Sequence, residues 1–256
     1  MKLFLSLLFI LVSFTSYAES NYEVAFFEAG LLYHNNTGID KDIINEISKR
    51  TNIKFSHTEK PRARIWREML DGRLAITMAG IPSPERNKAA WFYQYAAQRN
   101  HAIFLKGKEK NYSSFEDFAK NPETRIAVVR GFNHGPFYDK IIAKLKKTKR
   151  VDEVAQMDTL FMMLKKNERI DLILSSPVFY ALHLKNFELE DGVVIKNWDR
   201  AREPNPASIV LSKKLVSETD RRKIEVALEE IKNDGTLKKI IRKYMSEKET
   251  LNALSF

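Results

Sequence analysis

Residues 70–86 have the sequence LDGRLAITMAGIPSPER, and their pattern decides the fold class. A helical repeat of apolar residues ends at Leu70, Gly72 follows as a turn, and residues 74–78 form a short apolar run. An apolar run of this length after a turn is typical of a buried strand. The stretch therefore predicts one unit of an α/β chain, in which a helix leads into a buried strand.

The alternation of helices and strands continues outward from this stretch in both directions. Apolar patterning predicts strands at residues 22–28, 53–58, 125–129, 151–154 and 171–174. It predicts helices at residues 40–51, 64–70, 136–145, 159–164, 218–232 and 237–244. Residues 164–173 (LKKNERIDLI) faintly echo residues 69–76, which indicates two similar halves. Strands that alternate with helices favour sheets with mostly parallel pairing.

Two similar halves need two connections between them, and the chain offers two candidates. Residues 106–113 are charged and poor in apolar side chains, and residues 202–206 carry prolines. We therefore predict an α/β fold with two lobes, each built on a mostly parallel sheet, and two connections between the lobes. The predicted ranges are residues 19–106 with 208–256 for lobe 1, and residues 107–207 for lobe 2.

The first residues have the pattern of an export signal. Lys2 supplies a positive start, residues 3–14 are almost wholly apolar, and Ser16 and Ala18 form a small-x-small pattern. The apolar stretch is shorter than the roughly 20 residues that a membrane-spanning helix needs. We predict a cleavable signal peptide at residues 1–18, a periplasmic location, and no membrane insertion after cleavage.

The composition excludes several classes of site. The 256 residues include no cysteine, so they offer no disulfide, thiolate nucleophile or Cys-based zinc site. The five histidines show no H-x-x-x-H spacing, and we predict neither a metal nor a cofactor. The formal net charge is +10, but the basic residues are mixed with acids, and the dense run at 144–150 lies at a predicted helix end. We therefore predict no nucleic-acid partner.

Several segments, in this order, resemble the family 3 extracellular solute-binding proteins, the amino-acid-type binding components of ABC importers. The similar segments are residues 38–44 (GIDKDII), 70–86 with Phe92, 126–131 (IAVVRG), 171–177, and 233–244, which begin NDGTL. The resemblance implies the two-lobed type II periplasmic binding protein fold, in which two mixed, mostly parallel sheets are joined by two crossing strands. It also implies a ligand held between the lobes and an ABC permease in the inner membrane as partner.

The resemblance assigns the ligand's anchor to Arg86. In the family, the arginine at this place grips the ligand's α-carboxylate, and a guanidinium fork matches a carboxylate bidentately. Pairing of Arg86 with a surface acid remains the alternative. The family's stacking aromatic falls at Tyr33, which offers a flat face and a polar tip, and an ordinary core aromatic is the alternative there.

Two further positions follow from the resemblance. Gly80, with Ala79, matches the strand end whose backbone approaches the ligand, although Ile81 stands where the family often has a hydroxyl side chain. Asn133 lies in the loop at residues 131–135, which opens a helix, so its free N–H groups are suited to an anion.

One departure from the family concerns the acid that holds the ligand's α-ammonium. This acid lies five residues after the strand-opening aspartate, and counting from Asp171 leads to Ser176, which carries no charge. A hydroxyl does not compensate a buried ammonium. Either Glu28 takes over this role or the ligand has no α-amino group. Three arginines near the predicted cleft suit a more anionic ligand, with a solvated surface position as the alternative for each: Arg62, Arg64 and Arg130.

We therefore predict a periplasmic substrate-binding protein that captures a small carboxylate-bearing solute, an amino acid or related organic acid, for an ABC importer by hinge closure. It is not predicted to be an enzyme. One alternative is a binding protein that senses a ligand for a signalling receptor. A less favoured one is a dehydratase-type enzyme on the same fold, with His134 and Glu28 as an acid/base pair.

Overall fold

The computed structural model describes residues 20–109, 112–167, 169–198 and 203–256. The predicted signal peptide, residues 1–18, lies outside these ranges. The strands are β1 (Asn21–Phe26), β2 (Lys54–Glu59), β3 (Ile76–Gly80), β4 (Ala90–Gln98), β5 (His101–Leu105), β6 (Ile126–Val129), β7 (Val151–Val154), β8 (Leu172–Ser175), β9 (Val193–Lys196) and β10 (Asn205–Ser212).

Helices surround these strands. They are α1 (Ile39–Thr51), α2 (Arg62–Leu70), α3 (Arg86–Ala89), α4 (Phe115–Lys120), α5 (Pro136–Lys147), α6 (Met157–Lys165), α7 (Pro177–Asn186), α8 (Glu218–Asn233), α9 (Thr236–Arg242) and α10 (Glu247–Ala253). Within the described ranges, none of them is both long and apolar enough to cross a membrane.

The strands form two five-stranded sheets, one in each lobe. The first sheet has the order β2-β1-β3-β10-β4 and the second has the order β7-β6-β8-β5-β9. In the first sheet β1 pairs in parallel with β2 and β3, whereas β10 is antiparallel to both β3 and β4. The second sheet repeats this arrangement, with β5 as its antiparallel strand. The predicted mixed, mostly parallel sheets are confirmed.

The amphipathic pattern of α1 shows why its residues form a surface helix. Ile43, Ile44 and Ile47 recur at helical spacing and are buried against the core. The helix ends at Asn52, whose left-handed backbone conformation closes the last turn. Because α1 is fixed in this way, Asp40 in its first turn is buried beneath the first sheet's strand ends.

The chain passes between the sheets after β4 and returns before β10. β5 starts at His101 and pairs with β8 and β9, so it belongs to the second sheet although it falls within the range predicted for lobe 1. The crossing lies in a short polar stretch, residues 98–101 (QRNH), which the prediction did not take as a boundary, and Asn100 within it is buried. Residues 106–108, directly after β5, form an exposed turn. The division of the chain into lobe ranges stays a prediction.

Candidate ligand-binding cleft

Arg86 is the first residue of α3, and its side chain extends towards the second lobe. Its guanidinium lies over the Trp66 ring, 3.6 Å from the ring centroid, and Nη1 donates to the Ile81 carbonyl at 3.1 Å. Nη2 donates to the carbonyl oxygen of Gly131, in the loop after β6, at 3.1 Å. Arg86 forms no salt bridge with any carboxylate of the described residues. It therefore bridges the two lobes through main-chain acceptors.

A second contact joins the lobes near the same place. The amide of Leu31 donates to the carbonyl oxygen of Val178, at the start of α7, over 2.7 Å. Gly30 lies so close to this helix that a Cβ atom would approach the Val178 and Phe179 carbonyl oxygens within 2.6 Å and 2.5 Å. The lobes are therefore in direct backbone contact around the cleft.

Arg62 is a second arginine in this cleft, and it is buried, with 4% of its surface exposed. Its Nη1 donates to the Met78 carbonyl at 3.1 Å, and its Nη2 donates to the Ala79 carbonyl at 2.9 Å. The guanidinium lies 4.2 Å from the Phe27 ring centroid and 5.0 Å from that of Trp66. Arg62 is thus held at the end of β3 rather than solvated.

The two guanidiniums lie close enough to influence each other. Burial lowers the pKa of Arg62 to about 9, and repulsion from Arg86 contributes to this shift. Burial also lowers the pKa of Arg86, to about 10. Both side chains are cationic at neutral pH. The buried Arg62 and the half-buried Arg86 beside Trp66 create a positive field that an anion entering the cleft would neutralise.

Two cavities lie between the lobes beside these arginines. The small cavity, about 20 Å³, is lined by both arginines together with Gln98 and Asn133. Phe27 and Phe132 line both this cavity and a larger one of about 130 Å³. A volume of 20 Å³ holds little more than one water molecule. An organic ligand therefore requires the lobes to separate before it enters.

Glu28 lines the larger cavity, where it already has several partners. Its Oε1 accepts from the Gly30 amide at 3.2 Å, and its Oε2 lies 2.9 Å from His34 Nδ1. His183 Nε2, from the second lobe, lies 4.0 Å from Oε1. Burial raises the pKa of Glu28, and the hydrogen bond from His34 partly opposes this effect. Glu28 is in the cleft, and its role as an ammonium partner stays a prediction.

Asn133 and Ser176 both lie in or next to the cleft wall. Asn133 lines the small cavity, and its Oδ1 accepts from the Gly135 amide at 2.8 Å. Ser176 is buried one residue before α7, and its hydroxyl donates to Gln98 Oε1 over 3.3 Å. The place where the family's acid is expected therefore holds a neutral hydroxyl bonded to a neutral amide.

Tyr33 and Gly80 do not contribute to the described walls of either cavity. Tyr33 is buried and stacks on Phe26, with ring centroids 4.5 Å apart. Gly80 faces β10, since a Cβ atom there would lie 2.1 Å from Val210 Cγ2. The backbone next to Gly80 does reach the cleft, because Ala79 lines the small cavity.

His134, the residue considered as an acid/base partner of Glu28, is buried in the second lobe. Its Nδ1 lies 3.2 Å from Asn100 Oδ1, and its Nε2 has no hydrogen-bond partner among the described residues. Burial lowers its pKa to about 4. No hydrogen bond or ion pair among the described residues joins His134 to Glu28.

Several cleft residues were not predicted from the sequence. Trp66 supplies the ring beneath both guanidiniums, and its i, i+4 spacing from Arg62 places the two on one face of α2. That spacing was the available signal. The remaining ones come from four separate segments and carried no such signal: Phe27, Gln98, Phe132 and Phe179.

The sequence matches the model of the bacterial extracellular solute-binding proteins, family 3, over residues 28–247. No curated protein matches the chain in sequence.

Solved structures share the fold over most of the chain at low sequence identity. An ancestral arginine-binding protein bound to arginine has a TM-score of 0.72 at 21% identity, covering 89% of this chain and 99% of its own. The substrate binding protein of an amino acid ABC transporter has a TM-score of 0.68 at 19% identity, with 88% and 99% covered. The GluR0 ligand-binding core from Nostoc punctiforme, in complex with (L)-glutamate, has a TM-score of 0.70 at 17% identity, with 88% and 99% covered.

Proposed function

The chain belongs to the bacterial extracellular solute-binding proteins, family 3, and on that basis we propose that it captures a small carboxylate-bearing solute in the periplasm for an ABC importer. The observation that carries this proposal is the position of Arg86. Its guanidinium lies between the lobes, is cationic, and donates to two main-chain carbonyls.

A carboxylate is a better acceptor for Arg86 than the carbonyl it now contacts. Hydrogen bonds between a guanidinium and a carboxylate are charge-assisted and bidentate, and they gain strength where water is excluded. A ligand carboxylate would replace the Gly131 carbonyl at Nη2 when the lobes separate, and it would then be enclosed when they close. Ligand favours the closed form only through its higher affinity for that form.

A ligand-sensing role is the second candidate. The fold is shared with the GluR0 ligand-binding core, as well as with the binding protein of an amino acid ABC transporter. Both roles use the same closure around a solute, so they differ in the partner that recognises the closed lobes. Genes for a permease and an ATPase beside this one favour transport, whereas a histidine kinase gene favours sensing.

The carboxylate anchor is tested by thermal shift with a panel of amino acids and simple carboxylic acids. A ligand at about 100 times its dissociation constant stabilises the folded protein by roughly 2.7 kcal/mol, which is an easily measured shift. We expect Arg86→Met to abolish the shift and Arg73→Met to retain it, because Arg73 is exposed and pairs with Asp71 at 2.6 Å. A shift that persists in the Arg86 variant would refute the anchor.

A further inference from the structure

The charged side chains that line the small cavity all carry the same sign. Of the described residues that line it, two are arginines and none is acidic. Two acids outside this lining, Asp139 and Glu85, attract Arg86 and partly oppose the lowering of its pKa, and Asp139 also accepts from the His134 amide at 3.0 Å. A zwitterionic amino acid would bring one carboxylate to these two cations, but it would also bring an ammonium close to them. Like charges held close together in a dry site oppose binding.

The wall opposite the arginines holds no compensating charge. Ser176 donates to Gln98, and both groups are neutral, so this pair offers an ammonium only dipoles. A buried charge without a partner of opposite sign is costly. An amine-free ligand avoids this cost.

Glu28 does not remove the difficulty. It lines the larger cavity and not the small one. Each of its oxygens already has a partner, Gly30 on Oε1 and His34 on Oε2, and His183 approaches from the other lobe. An ammonium at Glu28 would compete with these histidines for the same carboxylate.

Aromatic rings from both lobes form the apolar part of the wall. Phe27, from the first lobe, lies 5.3 Å from Phe132 of the second lobe between ring centroids. Phe132 lies 5.6 Å from Phe179. At these distances the rings contact one another in the closed form, so a flat apolar group reaches them when the lobes separate and then packs against them. The guanidiniums lie beside these rings, so one ligand can contact both surfaces.

From these contacts we propose that the cleft selects carboxylic acids that carry no ammonium group and have a flat, apolar body. The carboxylate lies between Arg62 and Arg86, and the body lies among Phe27, Phe132 and Phe179. This inference rests on the proposed function, and it replaces the broader class of carboxylate solutes by a narrower one.

Matched pairs of ligands test the inference, because their members differ only in the ammonium group. Calorimetric titration compares 3-phenylpropanoate with L-phenylalanine, and 4-methylpentanoate with L-leucine. We expect the amine-free member of each pair to bind at least about tenfold more tightly, and 3-phenylpropanoate to be the tighter of the two acids. An amino acid that binds as tightly as its amine-free partner overturns the inference.

Ser176→Asp provides a second test, with Ser176→Asn as its uncharged control of equal size. Because Ser176 adjoins Gln98 in the cleft wall, an aspartate there should shift the ratio of affinities towards L-phenylalanine by about tenfold or more. The asparagine variant should leave the ratio near that of the unmodified protein. A folded aspartate variant with an unchanged ratio counts against the inference.

The outcomes separate the two proposals. If L-amino acids bind more tightly and their binding needs Arg86, the proposed function stands and the amine-free preference is wrong. If no member of either pair stabilises the protein, and no acid of the wider panel does so, both are wrong.

Discussion

Asp40 shows how a single buried residue can make stability depend on pH. It lies in the first turn of α1, is fully buried, and accepts a hydrogen bond from the Tyr95 hydroxyl. Burial raises the pKa of Asp40 to about 7, and this effect outweighs the hydrogen bond from Tyr95 and the attraction of Arg62. The folded protein therefore holds a proton on Asp40 at pH values where the unfolded chain has lost it.

The sign of the resulting pH dependence follows from this raised pKa. Protonated Asp40 makes its full contribution to the stability of the folded protein below the unfolded pKa of 3.8. This contribution is lost as the pH rises through about 7. As the pH rises between these values, the free energy of unfolding should fall in the unmodified protein. We expect it to fall less in Asp40→Asn, and the two decreases should differ by on the order of 2–4 kcal/mol. Urea unfolding at pH 4.5 and pH 7.5 (about the two ends of this window) measures the difference. If the free energy of unfolding falls by the same amount in both proteins, Asp40 is not the source of the pH dependence.

At the scale of elements, the contact between β3 and β10 leaves no room for a side chain at Gly80. A Cβ atom would lie 2.1 Å from Val210 Cγ2 and 3.1 Å from the Phe92 ring. The pairing register of β10 with β3 also shifts between Ser208 and Val210. The absence of a side chain at Gly80 therefore allows β3 to pack closely against the Val210 side chain of β10.

We expect Gly80→Ala to destabilise the protein by about 1–3 kcal/mol, because an added methyl group overpacks a close-packed core. In a Val210→Ala background the same substitution should cost less, since the contacted methyl group has been removed. Chemical unfolding of the four proteins of this double-mutant cycle gives both values. An equal cost in both backgrounds would locate the effect elsewhere.

At the scale of the whole molecule, closure depends on backbone contact between the lobes. Gly131 has a φ of +85°, and a Cβ atom there would lie 2.8 Å from both the amide nitrogen and the Cα atom of Ala63 in α2. Gly107 has nearly the same φ, +84°, but no described atom lies within 4 Å of its Cβ position. A side chain would strain the backbone at both glycines. Only at Gly131 would it also clash with the other lobe.

We expect Gly131→Ala to hold the lobes apart and to weaken ligand binding by roughly tenfold or more, because the closed form becomes less populated. Gly107→Ala should lose stability through strain but keep its affinity. Small-angle scattering should show a larger radius of gyration for the Gly131 variant with ligand. Equal affinities in the two variants would mean that Gly131 does not control closure.

The sequence predicted the alternation of elements well where apolar periodicity was strong. The strand at residues 151–154 was predicted with the bounds that it has, and α8 differs from its prediction only at the last residue. The crossing at Arg99 and Asn100 was not recognised, since the polar stretch that marks it is only residues 98–101 and strand-forming residues flank it on both sides. Within the site, Arg86 was predicted from the resemblance, whereas the role of Trp66 beneath the two guanidiniums was not predicted.

The sequence by itself determined the two-lobed α/β architecture and the family, because local periodicity and ordered motifs are properties of neighbouring residues. Only the tertiary structure decided which side chains share a cleft. Phe27, Gln98, Phe132 and Arg86 lie in different segments, and they meet only because two sheets pack with their strand ends facing each other. Tyr33 occupies a suitable place along the chain, but its ring is buried and stacks on Phe26, because the loop after β1 turns the ring towards the core rather than the cleft.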